Sequence, residues 1–161
     1  MKSLAAFFLI VIFITSCNDQ SAIPIEDALT KADAEYIIFG HFYGFCLGEE
    51  CIEIFKLTPN AIFEDANDLY PSSQSVYESE FIKLDQSIFE RLKESKIEIP
   101  SELLNEKATI IGAPDAADGG GIYLELPNGD FWLLDMNQEY LPEYLHSLRD
   151  EIRSAISLIN E

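Results

Sequence analysis

Cys46 and Cys51 stand with four residues between them in the run FGHFYGFCLGEECIEIFKL, and paired thiols at that spacing can form a disulfide, hold a metal or carry thiol exchange. If Phe45 and Ile52 close a hairpin, the two cysteines oppose each other across Leu-Gly-Glu-Glu. Opposed residues have Cβ atoms about 4.5–5.5 Å apart, so a modest twist brings such a pair to disulfide distance. A closed zinc site needs four ligands, and His41 and His146 are the histidines available to complete one. A redox-active pair commonly has two intervening residues and a nucleophile beside a helix start or a positive charge. Here Glu49 and Glu50 lie between the cysteines, and negative charge disfavours the thiolate. The expectation is a disulfide staple. The enzymatic alternative is a thiol-redox or hydrolytic centre with His41 as its base.

A second candidate is PDAADGGGIYLE, where Asp115 and Asp118 precede three glycines. It suggests a divalent-cation loop, but it lacks the alternating acidic positions and terminal glutamate of the EF-hand pattern. A glycine-permitted turn leading into a strand is the simpler reading. The chain carries no Ser elbow, no phosphate-cradling glycine loop and no paired-His zinc signature. His41 falls in the most apolar strand and His146 beside a helical core stripe, so both are expected to be hydrogen-bonded structural residues. No catalytic set is complete, no cofactor is implied, and a non-catalytic module is favoured.

These residues need elements to position them. Tyr36 to Phe45 reads as a buried strand with close backbone approach at Gly40 and Gly44. CIEIFKL and AIFEDA read as the next two strands, NDLYPSSQSVYESE as a loop and FIKL as a short strand. Asp85 can cap a helix reaching about Lys96, with Ile88, Phe89 and Leu92 inward. A helical turn at Ser101 and a strand at ATIIG follow. In GIYLELPNGDFWLLDM, Asn128-Gly129 predicts a two-residue hairpin that places Leu124, Leu126, Phe131 and Leu133 on one face. Pro142 suits the first turn of a long helix with Leu141, Leu145, Leu148, Ile152, Ile156 and Ile159 along one stripe. Its other face carries Glu143, Arg149, Asp150 and Arg153. The expected fold class is α+β: an antiparallel sheet of about five to seven strands, with a middle helix and a long C-terminal helix on one face.

The amino terminus MKSLAAFFLIVIFITSC has the charged, apolar and small-residue regions of a secretory signal, and its apolar run is too short for a comfortable membrane span. Ile14-Thr15-Ser16-Cys17 resembles the lipobox of bacterial lipoproteins. The resemblance implies that Cys17 carries a thioether-linked diacylglycerol and becomes the first mature residue, and two or three acyl chains hold firmly where one is marginal. The expected organisation is a signal at 1–16, the lipidated cysteine and a polar tether at 17–34, and one domain at 35–161. Without Lys2, nine basic residues face 29 acidic ones, a net charge of −20. Such a surface repels nucleic acid and anionic headgroups. Its dispersed carboxylates and 48% hydrophobic content describe a folded domain, not an acidic tail.

HFYGFCLGEECIEIF, YPSS, PDAAD, GGIYLE, FWLLD and PEYLH, in that order, resemble small, uncharacterised bacterial lipoproteins over most of the mature chain. The resemblance implies an address and a single domain, and it implies no activity. The expectation is an exported, lipid-anchored envelope lipoprotein that binds a partner, either an envelope protein or a ligand. The alternatives are a small periplasmic enzyme and a divalent-cation binder at Asp115 and Asp118.

Overall fold

The computed structural model describes residues 36–46, 49–93 and 95–161. Cys17, the signal at 1–16 and the tether at 17–34 lie outside the described residues. Seven strands form one sheet: β1 (Ile37–Phe42), β2 (Ile52–Thr58), β3 (Ala61–Asp65), β4 (Phe81–Lys83), β5 (Ile110–Ile111), β6 (Gly121–Glu125) and β7 (Phe131–Asp135), in the order β4-β3-β2-β1-β6-β7-β5. Two helices, α1 (Gln86–Leu92) and α2 (His146–Ile159), accompany them. The class is α+β, but the sheet is mixed and not purely antiparallel. The exception is β5, which runs parallel to β7. After β5 the chain passes over the position of β7 to begin β6 beside β1, and the β6–β7 hairpin then fills the gap. Two reversals restore the original direction.

Alternation along the strands makes two faces. One carries Phe39, Phe55, Ile62, Ile122, Leu124, Trp132 and Leu134 and is packed by both helices. On α2, Leu148, Ile152, Ala155, Ile156 and Ile159 are buried, so the apolar stripe is core. Asp85 caps α1, its carboxylate accepting from the Ser87 amide at 2.8 Å. The helix stops at Leu92, one turn short of the expected Lys96. Arg91 on α1 then donates to the Leu158 and Ile159 carbonyls at 3.0 and 3.1 Å, satisfying acceptors that the end of α2 leaves open.

The second face carries Ile38, Phe42, Ile54, Tyr123 and Leu133. Its cover is the segment 66–80, through Tyr77. Gly40 belongs to this face. A Cβ there would stand 2.0 Å from the Glu53 carbonyl oxygen and 2.6 Å from the Ile54 Cα, so only glycine lets β2 come this close.

Two registers differ from the sequence expectation. The β6–β7 connection has three residues, because Leu126 donates to the Asp130 carbonyl while Gly129, at φ +87°, donates back to Leu126. This is a turn followed by a left-handed glycine, the three-residue solution. Leu124 therefore pairs with Trp132 and not with Leu133. A shift of one residue sends Phe131 and Leu133 to the second face, away from Leu124 and Leu126. Similarly, β1 ends at Phe42, which pairs with Ile52, so Phe45 does not close the first hairpin.

Candidate functional site

The registers Phe42↔Ile52, Asp65↔Phe81, Phe42↔Gly121 and Ile111↔Leu134 place three connections at one end of the sheet: 43–51, 66–80 and 112–120. Tyr36 and Ile37 lie at the other end.

Within 43–51 a Cys46–Cys51 disulfide is present, with S–S 2.06 Å and Cα–Cα 5.5 Å. The cysteines are not opposed across the ladder as expected. The Tyr43 amide pairs with the Cys51 carbonyl at 2.9 Å, and the bridge closes the loop that this pairing leaves. Cys51 is buried and Cys46 is exposed. With both sulfurs bonded to each other, neither serves as a zinc ligand or a thiolate nucleophile in this structure.

His41 is held by its own neighbours. Its Nε2 lies 3.1 Å from the Glu50 carbonyl and 3.0 Å from Glu53 Oε2, so one N–H serves both acceptors. Glu53 is itself buried and also accepts from Asn160 Nδ2 at 2.8 Å, tying the end of α2 to β2. At His146, Nδ1 accepts from Gln138 at 2.8 Å and Nε2 donates to the Leu141 carbonyl at 3.1 Å. Both histidines are hydrogen-bonded within the fold.

Asp115 joins the three loops. Its Oδ2 accepts from the Gly44 amide at 2.8 Å and the Tyr70 hydroxyl at 2.9 Å, while its Oδ1 accepts from the Gly120 amide at 3.2 Å. Partial burial of the Tyr70 ring, the hydrogen bond to Asp115 and that carboxylate's charge push the phenol up to about 12. The turn itself is unusual: Asp115, Ala117 and Asp118 all have φ between +52° and +60°. Left-handed backbone is uncommon for alanine, so the surrounding contacts must hold it. Asp118 is exposed. Among the described residues, no three His, Cys, Asp or Glu side chains are grouped as metal ligands, and no buried side-chain polar atom lacks a partner. The hydrogen-bonding capacity of Asp115 is thus used to brace loops.

A second cluster underlies the loop 66–80, and sequence reasoning missed it. The single Tyr77 hydroxyl proton lies between Asp65 and the Leu69 carbonyl, the latter at 2.9 Å, and Ser79 also donates to Asp65. Tyr123 donates to Glu125 at 2.5 Å, and the Tyr77 amide donates to both the Tyr123 hydroxyl and Glu125 at 2.9 and 3.0 Å. Asp65 and Glu125 are buried, and no ion pair of either is found among the described residues. Burial first, then the hydrogen bonds and the carboxylate charges, hold both phenols far above the usual tyrosine range. They are permanent donors that satisfy two buried carboxylates. The signal in the sequence was Tyr123 and Glu125 at i and i+2, on one face of a strand.

Above this framework Phe45 is 85% exposed, and Leu69 and Tyr70 are each 50% exposed. Tyr70 packs edge-on against Phe42, with ring centroids 5.0 Å apart. No family model, curated protein or solved structure matches the chain. Among the described residues, no helix is long and apolar enough to cross a membrane.

Proposed function

We propose that this chain is a membrane-tethered envelope lipoprotein whose domain is a non-catalytic interaction module, with the loop end of the sheet as its contact surface. The observation that carries the reading is Phe45. A large aromatic side chain stands almost wholly in solvent beside a disulfide, and its loop is braced through Gly44 to Asp115 and Tyr70. Rigid exposed aromatics are the usual energetic anchors of protein contacts, because little conformational freedom is lost when they bind.

The topology supports the same reading. In the proposed mature protein the lipid sits at Cys17, nineteen residues before Tyr36, and nineteen extended peptide units span at most about 65 Å. Tyr36 and Ile37, to which the proposed tether is joined in sequence, lie at the end of the sheet opposite the three loops. Six residues of β1, about 20 Å of strand, then separate the tethered end from Phe45's loop. The proposed contact surface thus lies at the end of the sheet opposite Ile37, where the described chain enters β1.

A photoreactive phenylalanine analogue in place of Phe45, in the full-length chain in its native envelope, tests the proposal. A discrete protein adduct is expected there. The same analogue at Ile82, 58% exposed on the edge strand β4, measures background. Adduct yield at position 45 no greater than at position 82 would overturn the reading.

A further inference from the structure

We infer that the protein engaged at Phe45 carries a redox-active cysteine pair, and that it makes and breaks the Cys46–Cys51 bridge through Cys46, with Cys51 as the resolving sulfur. The inference rests on the interaction-module reading and names the chemistry of its partner.

The two ends of the bridge differ in access. Cys46 is exposed and directly follows Phe45, itself 85% exposed, whereas Cys51 is 7% exposed. Thiol–disulfide exchange is a displacement: a thiolate approaches one sulfur in line with the bond, and the other sulfur leaves. At Cys46 that approach comes from solvent. At Cys51 the packing that buries the residue stands in the way. Cys51 is also positioned by contacts other than the bridge. Its carbonyl accepts from the Tyr43 amide at 2.9 Å, the Glu50 carbonyl accepts from His41 Nε2 at 3.1 Å, and β2 begins at the next residue. A group held beside its target reacts at a high effective concentration, so Cys51 is placed to displace whatever is bonded to Cys46.

Closing the bridge takes two displacements. The Cys46 thiolate attacks one sulfur of the partner's disulfide; a Cys46–partner bond forms, the partner's own bond breaks, and its other sulfur leaves as a thiolate. The Cys51 thiolate then attacks the Cys46 sulfur, forming the Cys46–Cys51 bond and releasing the partner's remaining sulfur. Two thiols of this chain are oxidised, one disulfide of the partner is reduced, and the protons of Cys46 and Cys51 end on the partner's two sulfurs. Opening runs the same steps backwards, with the partner's dithiol as reductant. In both directions the intermediate joins the partner to Cys46, and the exposed ring of Phe45 supplies apolar contact at the point of exchange.

The test uses the full-length chain in its native envelope, with thiols quenched by acid and alkylated before separation without reductant. Cys51→Ser removes the resolving sulfur, so a protein adduct that reductant releases is expected to accumulate on Cys46. Cys46→Ser leaves only the buried sulfur of the pair and should lose that adduct, as should the double Cys46→Ser, Cys51→Ser variant. The protein released from Cys51→Ser should have the same mass as the protein photo-cross-linked at position 45. Both single variants lack the bridge, so the wild-type chain supplies a second measurement. Brief exposure of the purified, oxidised chain to glutathione, quenched with acid, should place glutathione on Cys46 and leave Cys51 as the free thiol.

Glutathione shared equally between the two sulfurs overturns the inference, as does equal adduct yield in the two single variants at matched thermal midpoints. Small thiols trapped on Cys46 with no protein overturn it, and so does a trapped protein whose mass differs from that of the photoadduct. An adduct that survives in the double variant belongs to Cys17 and overturns it too. A discrete photoadduct at position 45 with no disulfide-linked protein on Cys51→Ser overturns this inference alone. Absence of the photoadduct overturns the interaction-module reading, and the inference with it.

Discussion

Alkali is expected to remove a defined amount of stability from this fold through two tyrosines. Tyr77 and Tyr123 are 8% and 0% exposed, and each donates to a buried carboxylate. Burial, then hydrogen bonding and the neighbouring negative charge, raise both phenols far above the 10.0 of an unfolded tyrosine. The native state thus keeps two protons that the unfolded chain releases as pH rises past 10. The stabilisation is fully present below pH 10 and is lost progressively toward the folded values. At pH 11 each unfolded phenol has shed most of its proton, which linkage converts to about 1.4 kcal/mol per tyrosine. Two sites give about 3 kcal/mol, against a typical total of roughly 5–15 kcal/mol. Tyr70 is half exposed and adds less, because solvent screens it. Urea denaturation at pH 8, 9, 10 and 11 measures the decline, provided the slope with urea stays constant. A Tyr77→Phe, Tyr123→Phe protein starts less stable at pH 8, since Asp65 and Glu125 lose donors, but it should lose most of the pH dependence. Wild-type stability that is flat from pH 8 to 11, or a decline as steep in the double variant, would refute the reasoning.

Cys17→Ser is expected to move the domain from the membrane fraction to the supernatant, and a variant that still sediments as wild type would defeat the lipid assignment. Exported protein alkylated without reductant should show no added mass at Cys46 or Cys51, whereas two alkylated sulfurs would mean that the staple does not form in the envelope. Replacing both by serine should lower stability by about 2 kcal/mol, the chain-entropy value for so short a loop. Ile152 is fully buried, so Ile152→Ala should cost roughly 2–5 kcal/mol through lost transfer energy and a cavity; a denaturation midpoint equal to wild type would return α2 to a partner-facing role.

Much of the fold was legible because its signals are local. Asp85 announces α1 through a cap that needs only the next two residues, and Pro142 followed by a leucine–isoleucine stripe announces α2. Gly40 marked the close approach of β2 because a missing side chain in an apolar strand has few other uses. What failed was register. Asn128-Gly129 fits a two-residue turn and equally a three-residue turn ending in left-handed glycine, and the sequence offers apolar residues on both faces of β7. Apolar on both faces, with Phe131 partly buried and Trp132 and Leu133 buried, this run gives no alternation to choose between the two. The parallel placement of β5 was hidden for a related reason. Two residues of strand carry no information about which neighbour they will find.

The candidate site was less legible than the fold, because what assembles it is long-range. Gly44, Tyr70 and Asp115 meet across separations of 71 and 45 residues. The aspartate that suggested a cation ligand beside three glycines accepts the hydrogen bonds that fasten one loop to another. Its type and its turn were readable; its partners were not, since a backbone amide and a loop tyrosine leave no periodic trace. The same holds for Phe45. In sequence it continues an apolar strand, and a strand ending three residues earlier is what turns it from a core residue into the most exposed large apolar side chain among the described residues. That early ending is set by the Phe42↔Ile52 register and closed off by the disulfide. In this structure the thiols act by closing the loop that carries this exposed aromatic side chain.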